Sequence, residues 1–489
     1  MGKTSSKIAV IAALTTLYPT FAAPQQLGGA STTVPTSNPV ANQATTLAGS
    51  GSGPAANPGG LQLDLGVSTG LIVDDNFKLK VNGQTGVSKI SDTKLSFGLS
   101  NITQVDKLVF SGSGVIRFAD VNNRTVSGFE SPDAQLSYAR DGKNSRLSLD
   151  ARYREADRDF LDPFKTEQDQ QNPNALIGGG GTQTWQNYGA SYTVGLQSPV
   201  TFSATARHSE TDYRNVTSSG LDSNRTDSLR TSTGFQVSPV TQLNLNAGWS
   251  HYVAENVEGT DRTTTDLSLG LQQDINPVLA LNASLGWSQI DTDYTNFGTS
   301  AKRDGAIGTV TMTQTLADGT IWGSASSSLS VNGTRRSLSF GRDWALPLGT
   351  LSLSAGATRG SGGQTNYIGS ASYTRQLQSS DFSISLTRSA STNSASEDVL
   401  NTRLTAGYGY QIDNLSRIDL TANYGLTDNT TTGQEITRAT LRGTYTRQLT
   451  ADWNLVSGVQ FRTYDETNVG DAQSNQAFVT LDRNFTFRP

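Results

Sequence analysis

From Leu61 onward, apolar residues fall on every second position of one segment after another. Leu279, Leu281, Ala283, Leu285 and Trp287 alternate with Ala280, Asn282, Ser284 and Gly286. Ile418, Leu420, Ala422, Tyr424 and Leu426 alternate with Asp419, Thr421, Asn423 and Gly425. An extended strand points successive side chains to opposite faces, so each segment has one greasy face and one small, polar face. Sustained to Phe487, the pattern predicts a sheet closed on itself, with hydrocarbon outside and water inside. That is an all-β fold, a single large transmembrane antiparallel β-barrel.

Composition supports this reading. Only 35% of the 489 residues are hydrophobic and 49 are glycine, too little apolar mass for the cores of a soluble chain of this length. A barrel needs no thick core, because lipid covers its outer face and water fills its lumen. The 17 Phe, 15 Tyr and 6 Trp sit in ordered alternation, which argues against disorder. A β-solenoid would show a short fixed repeat, and none is present. β-Sandwich domains would need heavier inward faces. The net charge of −5 and the lack of any Lys/Arg run give no footing for a nucleic-acid partner. With no cysteine, disulfides, thiolate metal sites and a cysteine nucleophile are excluded.

Residues 1–22 have the form of a secretory signal. Lys3 and Lys7 precede an apolar run from Ile8 to Leu17, followed by the small-x-small site Thr20-Phe21-Ala22. The run is about half the roughly 20 residues a membrane helix needs. Residues 23–60 carry no charge and are built mainly from Pro, Gly, Ser, Thr, Asn, Gln and Ala. They are expected to form a mobile periplasmic leader, too short for a folded plug domain. The barrel is expected over 61–489, in the outer membrane of a Gram-negative bacterium.

Two kinds of connection alternate along 61–489. Tight turns such as Ser238-Pro239, Ala317-Asp318-Gly319 and Asp413-Asn414 carry ordinary turn chemistry. Longer polar stretches lie between them, among them 74–92, 120–131, 157–182, 213–225, 292–303 and 332–335. Short periplasmic turns opposite longer extracellular loops are the mark of such barrels, and the count comes to about 22 strands, within roughly 18 to 24. Both ends of the barrel then face the periplasm.

The last strand carries Ala477, Val479, Leu481, Phe485 and Phe487 on one parity. It resembles the terminal strand that bacterial outer-membrane proteins present to the barrel-assembly machinery, which makes Val479, Leu481, Phe485 and Phe487 the expected contact with that partner. It departs from that signal where Arg483 interrupts the face and Arg488-Pro489 follow Phe487. The first strand, Leu63 to Val73, runs into Asp74-Asp75-Asn76. This start resembles that of a family of β-barrel porins associated with exopolysaccharide or capsule export. The resemblance implies an export pore with periplasmic export partners. Outer-membrane lipid and lipopolysaccharide are the other expected partners.

Assigning the apolar parity to lipid places a set of arginines in the lumen: Arg117, Arg152, Arg154, Arg207, Arg230, Arg403, Arg438, Arg442 and Arg462. Either they pair with inward acids such as Asp150, Asp266 and Asp419 and brace a wide barrel, or they line a path for anions. Arg342, Arg359 and Arg388 fall on the outward face near strand ends, where long side chains snorkel. Trp344, Trp453, Tyr373 and Tyr445 suit interfacial belts.

Enzyme chemistry finds no foothold. The chain has two histidines, His208 and His251, and Ser250 beside His251 points to the opposite face of its strand. The acidic run Glu155, Asp157, Asp159, Asp162, Glu167 and Asp169 lacks calcium-loop spacing. Gly178 to Gly181 lacks the Lys-Ser/Thr of a phosphate loop and reads as a hinge. No metal or other cofactor is expected. The expected function is passage of hydrophilic solutes, anionic ones or a secreted polysaccharide, with the 157–182 loop as constriction. The rival is a non-conducting surface or adhesive barrel whose extracellular loops bind partners.

Overall fold

A strand in hydrocarbon must pair every backbone N–H and C=O with another strand, and only closure removes the last unpaired edge. The computed structural model, which describes residues 60–81, 86–121, 124–161, 181–216, 221–392, 398–430 and 432–488, meets that demand with twenty-two antiparallel strands in one sheet. The first eight are β1 (Gly60–Asp74), β2 (Ser88–Ile102), β3 (Asp106–Val121), β4 (Arg124–Asp141), β5 (Ser145–Asp157), β6 (Thr182–Val194), β7 (Val200–Arg214) and β8 (Asn224–Ser238). Then come β9 (Thr241–Ala254), β10 (Thr260–Asn276), β11 (Leu279–Tyr294), β12 (Thr299–Leu316), β13 (Gly319–Ser330), β14 (Gly333–Leu346) and β15 (Gly349–Arg359). The last are β16 (Thr365–Gln376), β17 (Ser380–Thr392), β18 (Asp398–Asp413), β19 (Ser416–Asn429), β20 (Glu435–Gln448), β21 (Trp453–Glu466) and β22 (Gly470–Phe487). Each strand pairs with its neighbours in sequence. β1 pairs with β22 from Leu63 opposite Phe487 to Asp74 opposite Gln476, closing the cylinder.

The strand number and the alternation of connections agree with the sequence reading. The signal and leader fall outside the described residues, except Gly60, which already belongs to β1. Most of the 157–182 loop also lies outside them.

Two stretches expected to be loops are mainly strand. Residues 124–131 continue β4, and the register shifts between the pairs Ser113–Asp133 and Val115–Glu130. Ser131, at φ 54°, and Pro132 stand opposite the one residue Gly114 and form a bulge. The bulge switches the outward parity from Phe129 to Leu136, both exposed on the outer face, so no unbroken alternation runs through the segment. Likewise β11 and β12 extend until only 295–298 remains as turn, with Gly298 at φ 62°. Beyond the hydrocarbon a strand needs no apolar face, so its polar sequence looks like a loop.

The outer coat holds the large apolar side chains. Leu267, Leu269, Leu285, Trp287, Phe340 and Val459 are each more than half exposed, an arrangement stable only against lipid. Aromatic rings on this coat lie over glycines of the adjacent strand: a Cβ at Gly114 would collide with the Phe129 ring, and one at Gly112 with Phe97. Gly114→Leu should therefore destabilise the barrel by about 1–3 kcal/mol through overpacking. The check is the unfolding midpoint in heat-modifiability electrophoresis, with Gly425→Ala, whose new methyl meets nothing within 4 Å, unchanged.

Candidate functional site: the lumen wall and its extracellular brace

All nine arginines singled out above lie on the inward parity, opposite exposed coat residues such as Phe118, Tyr153, Leu229, Tyr408, Leu441 and Phe461. Their surroundings divide them. Arg117, Arg438 and Arg462 are buried; Arg152, Arg154 and Arg442 are half-buried; Arg207, Arg230 and Arg403 stand exposed in the lumen.

Arg117 and Arg462 belong to a brace at the extracellular end. Arg462 is 3% exposed and Asp74 is fully buried. The Arg462 Nη2 group donates to Asp74 Oδ2 at 2.8 Å, Ser474 Oγ at 2.9 Å and the Phe77 carbonyl at 3.1 Å. Ser474 Oγ in turn donates to the other Asp74 oxygen at 2.8 Å. Asp75 accepts the backbone N–H and the side-chain amide of Asn475, both at 2.7 Å. The Asn76 amide donates to the Gln473 carbonyl at 2.9 Å. Thus Asp74-Asp75-Asn76 clamps the exit of β1 onto β21 and β22, at the seam where the cylinder closes.

Beyond the clamp the chain turns inward. Phe77 packs on Phe160, their ring centroids 5.8 Å apart, and both rest on Ile90, Ala119 and Val121 of the inner wall. Asp157 caps the 3-10 turn Arg158–Phe160. Lys78 pairs with Asp159 at 2.8 Å, and the Arg117 guanidinium lies 4.0 Å over the Phe160 ring while pairing with Asp92 at 2.6 Å. Of the stretch expected to constrict the lumen, residues 157–161 thus lie against the inner wall. A second brace crosses the mouth above the short β15–β16 hairpin: Arg335 on β14 reaches Asp398 at 2.7 Å, where β18 begins.

Lower on the wall, registry makes a recurring row. Asp150, Gly189 and Arg207 lie side by side on β5, β6 and β7. Asp266, Gly248 and Arg230 do so on β10, β9 and β8. The bare glycine lets the acid and the arginine share the space between them; a Cβ at Gly248 would lie 3.5 Å from Asp266 Oδ2. Asp419, also expected to brace, pairs instead with Arg417 at 2.7 Å, and that guanidinium also holds Asp381 at 2.6 Å. Arg152 pairs with Asp133 at 2.5 Å. Arg154 lies 4.7 Å over the Trp185 ring and Arg442 4.4 Å over Phe478. Gly425 lies between Arg403 and Arg438 in register, and a Cβ there would meet nothing within 4 Å.

Sequence reasoning missed Arg335, Phe77 and Phe160, whose partners sit on strands or loops distant in sequence, and Arg417, which joins Asp419 on its own strand to Asp381 on another. A signal did exist in Asp74-Asp75-Asn76, three polar residues ending a greasy strand. The two histidines lie on the outer face with carboxylate partners: His208 Nδ1 is 2.7 Å from Asp227, and His251 Nε2 is 2.8 Å from Asp261. Among the described residues no three His, Cys, Asp or Glu gather as a metal site. Glu155 accepts a hydrogen bond from Tyr153, while Asp162, Glu167, Asp169 and Gly178 to Gly180 lie outside the described residues.

No family model matches the chain, and no curated relative matches it. Solved structures do. The siderophore receptor PirA from Pseudomonas aeruginosa aligns at 12% identity and TM-score 0.52, over 89% of this chain and 81% of that one. The FrpB iron transporter from Neisseria meningitidis (F5-1 variant) aligns at 9% identity and TM-score 0.59, over 86% and 82%. The ferric enterobactin receptor PfeA in complex with BCV-L6 aligns at 11% identity and TM-score 0.54, over 87% and 82%. The fold is that of bacterial outer-membrane barrels. At these identities the likeness is one of fold, and it lies with receptor and iron-transporter barrels. The resemblance to exopolysaccharide-export porins is thereby overturned: the Asp74-Asp75-Asn76 start that carried it is accounted for by seam closure.

Breaking the clamp from one side strands a buried charge. Arg462→Met should cost about 3–5 kcal/mol, read as a large fall in the midpoint of heat or urea unfolding. The pair change Asp74→Asn with Arg462→Gln should recover much of it, and Asp75→Ala, at an exposed site, should cost far less.

Proposed function

We propose that the chain is an outer-membrane transport barrel that passes a hydrophilic solute through its lumen, with the extracellular mouth narrowed by the inward-folded residues 75–81 and 157–161. The observation that carries this reading is the sorting of side chains on the closed cylinder, with exposed Leu, Phe and Trp outside and Ser, Thr, Asn, Gly and ion pairs inside. Barrels of 16–18 strands already leave an aqueous channel, so the larger wall leaves room for a path beside the brace.

An anionic solute fits this wall best. Arg207 and Arg230 stand exposed on the inner wall, each in register with an acid across a glycine. Arg403 also stands exposed on this wall, and guanidinium groups along a channel draw negative groups. The solved barrels of like fold are named for siderophores and iron, so a ferric siderophore is the first solute to try. The apolar coat supports contact with outer-membrane lipid and lipopolysaccharide. The outward row Val479, Leu481, Phe485 and Phe487 on the closing strand fits a role in assembly by the barrel-assembly machinery.

Purified protein in a planar bilayer should show unit conductance that rises in the Phe77→Ala, Phe160→Ala variant as the brace loosens. Its reversal potential should favour anions, and Arg403→Ser should reduce that preference. A silent membrane with both proteins would favour a surface barrel whose loops do the work.

A further inference from the structure

Two arginines on the outer face lie directly opposite one another. Several other outward arginines have a carboxylate within reach: Arg342 with Asp318 at 2.6 Å, Arg214 with Asp212 at 2.8 Å, Arg225 with Asp227 at 3.4 Å, Arg140 with Asp106 at 3.6 Å and Arg483 with Asp452 at 3.9 Å. Arg336 on β14 and Arg359 on β15 are instead direct cross-strand partners of one another. Both are exposed, and among the described residues neither forms an ion pair. Like charges directly opposite each other on a sheet repel, so the bare protein holds an uncompensated pair of guanidinium groups at this point.

Their place in the wall says what compensates them. β15 has 11 residues and β13 and β16 have 12 each, which makes this the lowest stretch of the cylinder. Arg359 is the last residue of β15. Below the pair lie Leu338, Ala357 and Tyr367, the last 77% exposed, as in an interfacial belt. Arg336 precedes Trp344, near the periplasmic turn, by eight residues. At about 3.4 Å per residue and a tilt of ~40° that is about 20 Å of height, against an apolar band of ~25 Å. The guanidinium groups therefore snorkel to the headgroup level of the outer leaflet.

We propose that Arg336 and Arg359 form a binding site for the phosphate group of a phosphorylated lipid in the outer leaflet. Two planar forks side by side suit a phosphate, whose oxygens each take parallel N–H bonds, and anionic headgroups concentrate basic side chains at a membrane surface. The site is independent of whether the lumen conducts.

The test uses the full chain in phosphatidylcholine nanodiscs doped with diphosphoryl lipid A or with its dephosphorylated form, and counts bound glycolipid by native mass spectrometry. The wild type should retain lipid A, and Arg336→Gln with Arg359→Gln should lower its occupancy about tenfold or more. The dephosphorylated form should bind both proteins equally weakly, and excess inorganic phosphate should leave wild-type occupancy unchanged. Equal lipid A occupancy in the two proteins would overturn the proposal, and displacement by inorganic phosphate would make this a free-anion site. In zwitterionic detergent without lipid A, the double variant should unfold at the same temperature as the wild type or a higher one, since repulsion is relieved. A lower temperature would make the pair a structural element and sink the assignment.

Discussion

Closure of the β1–β22 edge is the constraint on which everything else rests. In hydrocarbon, one unpaired strand edge exposes a row of N–H and C=O groups, each costing several kcal/mol. Here the seam is zipped from Leu63 to Asp74 and then pinned by Asp74-Asp75-Asn76 against Arg462, Gln473, Ser474 and Asn475. The pin is polar because it faces inward, above the level where lipid dictates the outer face. From it the chain is delivered to the inner wall, where Phe77 and Phe160 make a small apolar knot. The element that closes the barrel is thus also the one that narrows its mouth.

The fold was legible because a membrane imposes a strict two-residue code over most of the chain. Leu279 to Trp287 and Ile418 to Leu426 could be assigned to faces without any partner strand in view, and the turns announced themselves through Pro, Gly, Asn and Asp. The code failed where its cause stops acting. At Ser131-Pro132 a bulge flips the parity, and at the extracellular ends of β11 and β12 water replaces lipid on the outer face. Nothing local distinguishes such a strand from a loop.

The lumen was legible in direction but not in partnership. All nine arginines point inward, as alternation requires. Which acid each one meets depends on register across strands far apart in sequence, as with Arg462 and Asp74. The rows that place Gly189 between Asp150 and Arg207, and Gly248 between Asp266 and Arg230, are likewise invisible until strands are aligned. Asp419 illustrates the same limit: it was read correctly as a bracing acid, yet its partner is Arg417, two positions away on its own strand. The outward pair Arg336 and Arg359 also emerges only from registry, since the two residues belong to different strands.

The closed seam can be tested directly, because the chain has no cysteine of its own. Leu71 and Val479 face each other across β1 and β22, and directly opposed positions in an antiparallel pair fall within disulfide reach. Leu71→Cys with Val479→Cys, expressed in the outer membrane and oxidised, should cross-link nearly completely and keep a compact mobility in denaturing electrophoresis until reduced. Leu71→Cys with Leu481→Cys, out of register by two residues, should link poorly. An in-register pair that stays open, or two pairs that link equally well, would contradict a cylinder closed by β1 and β22.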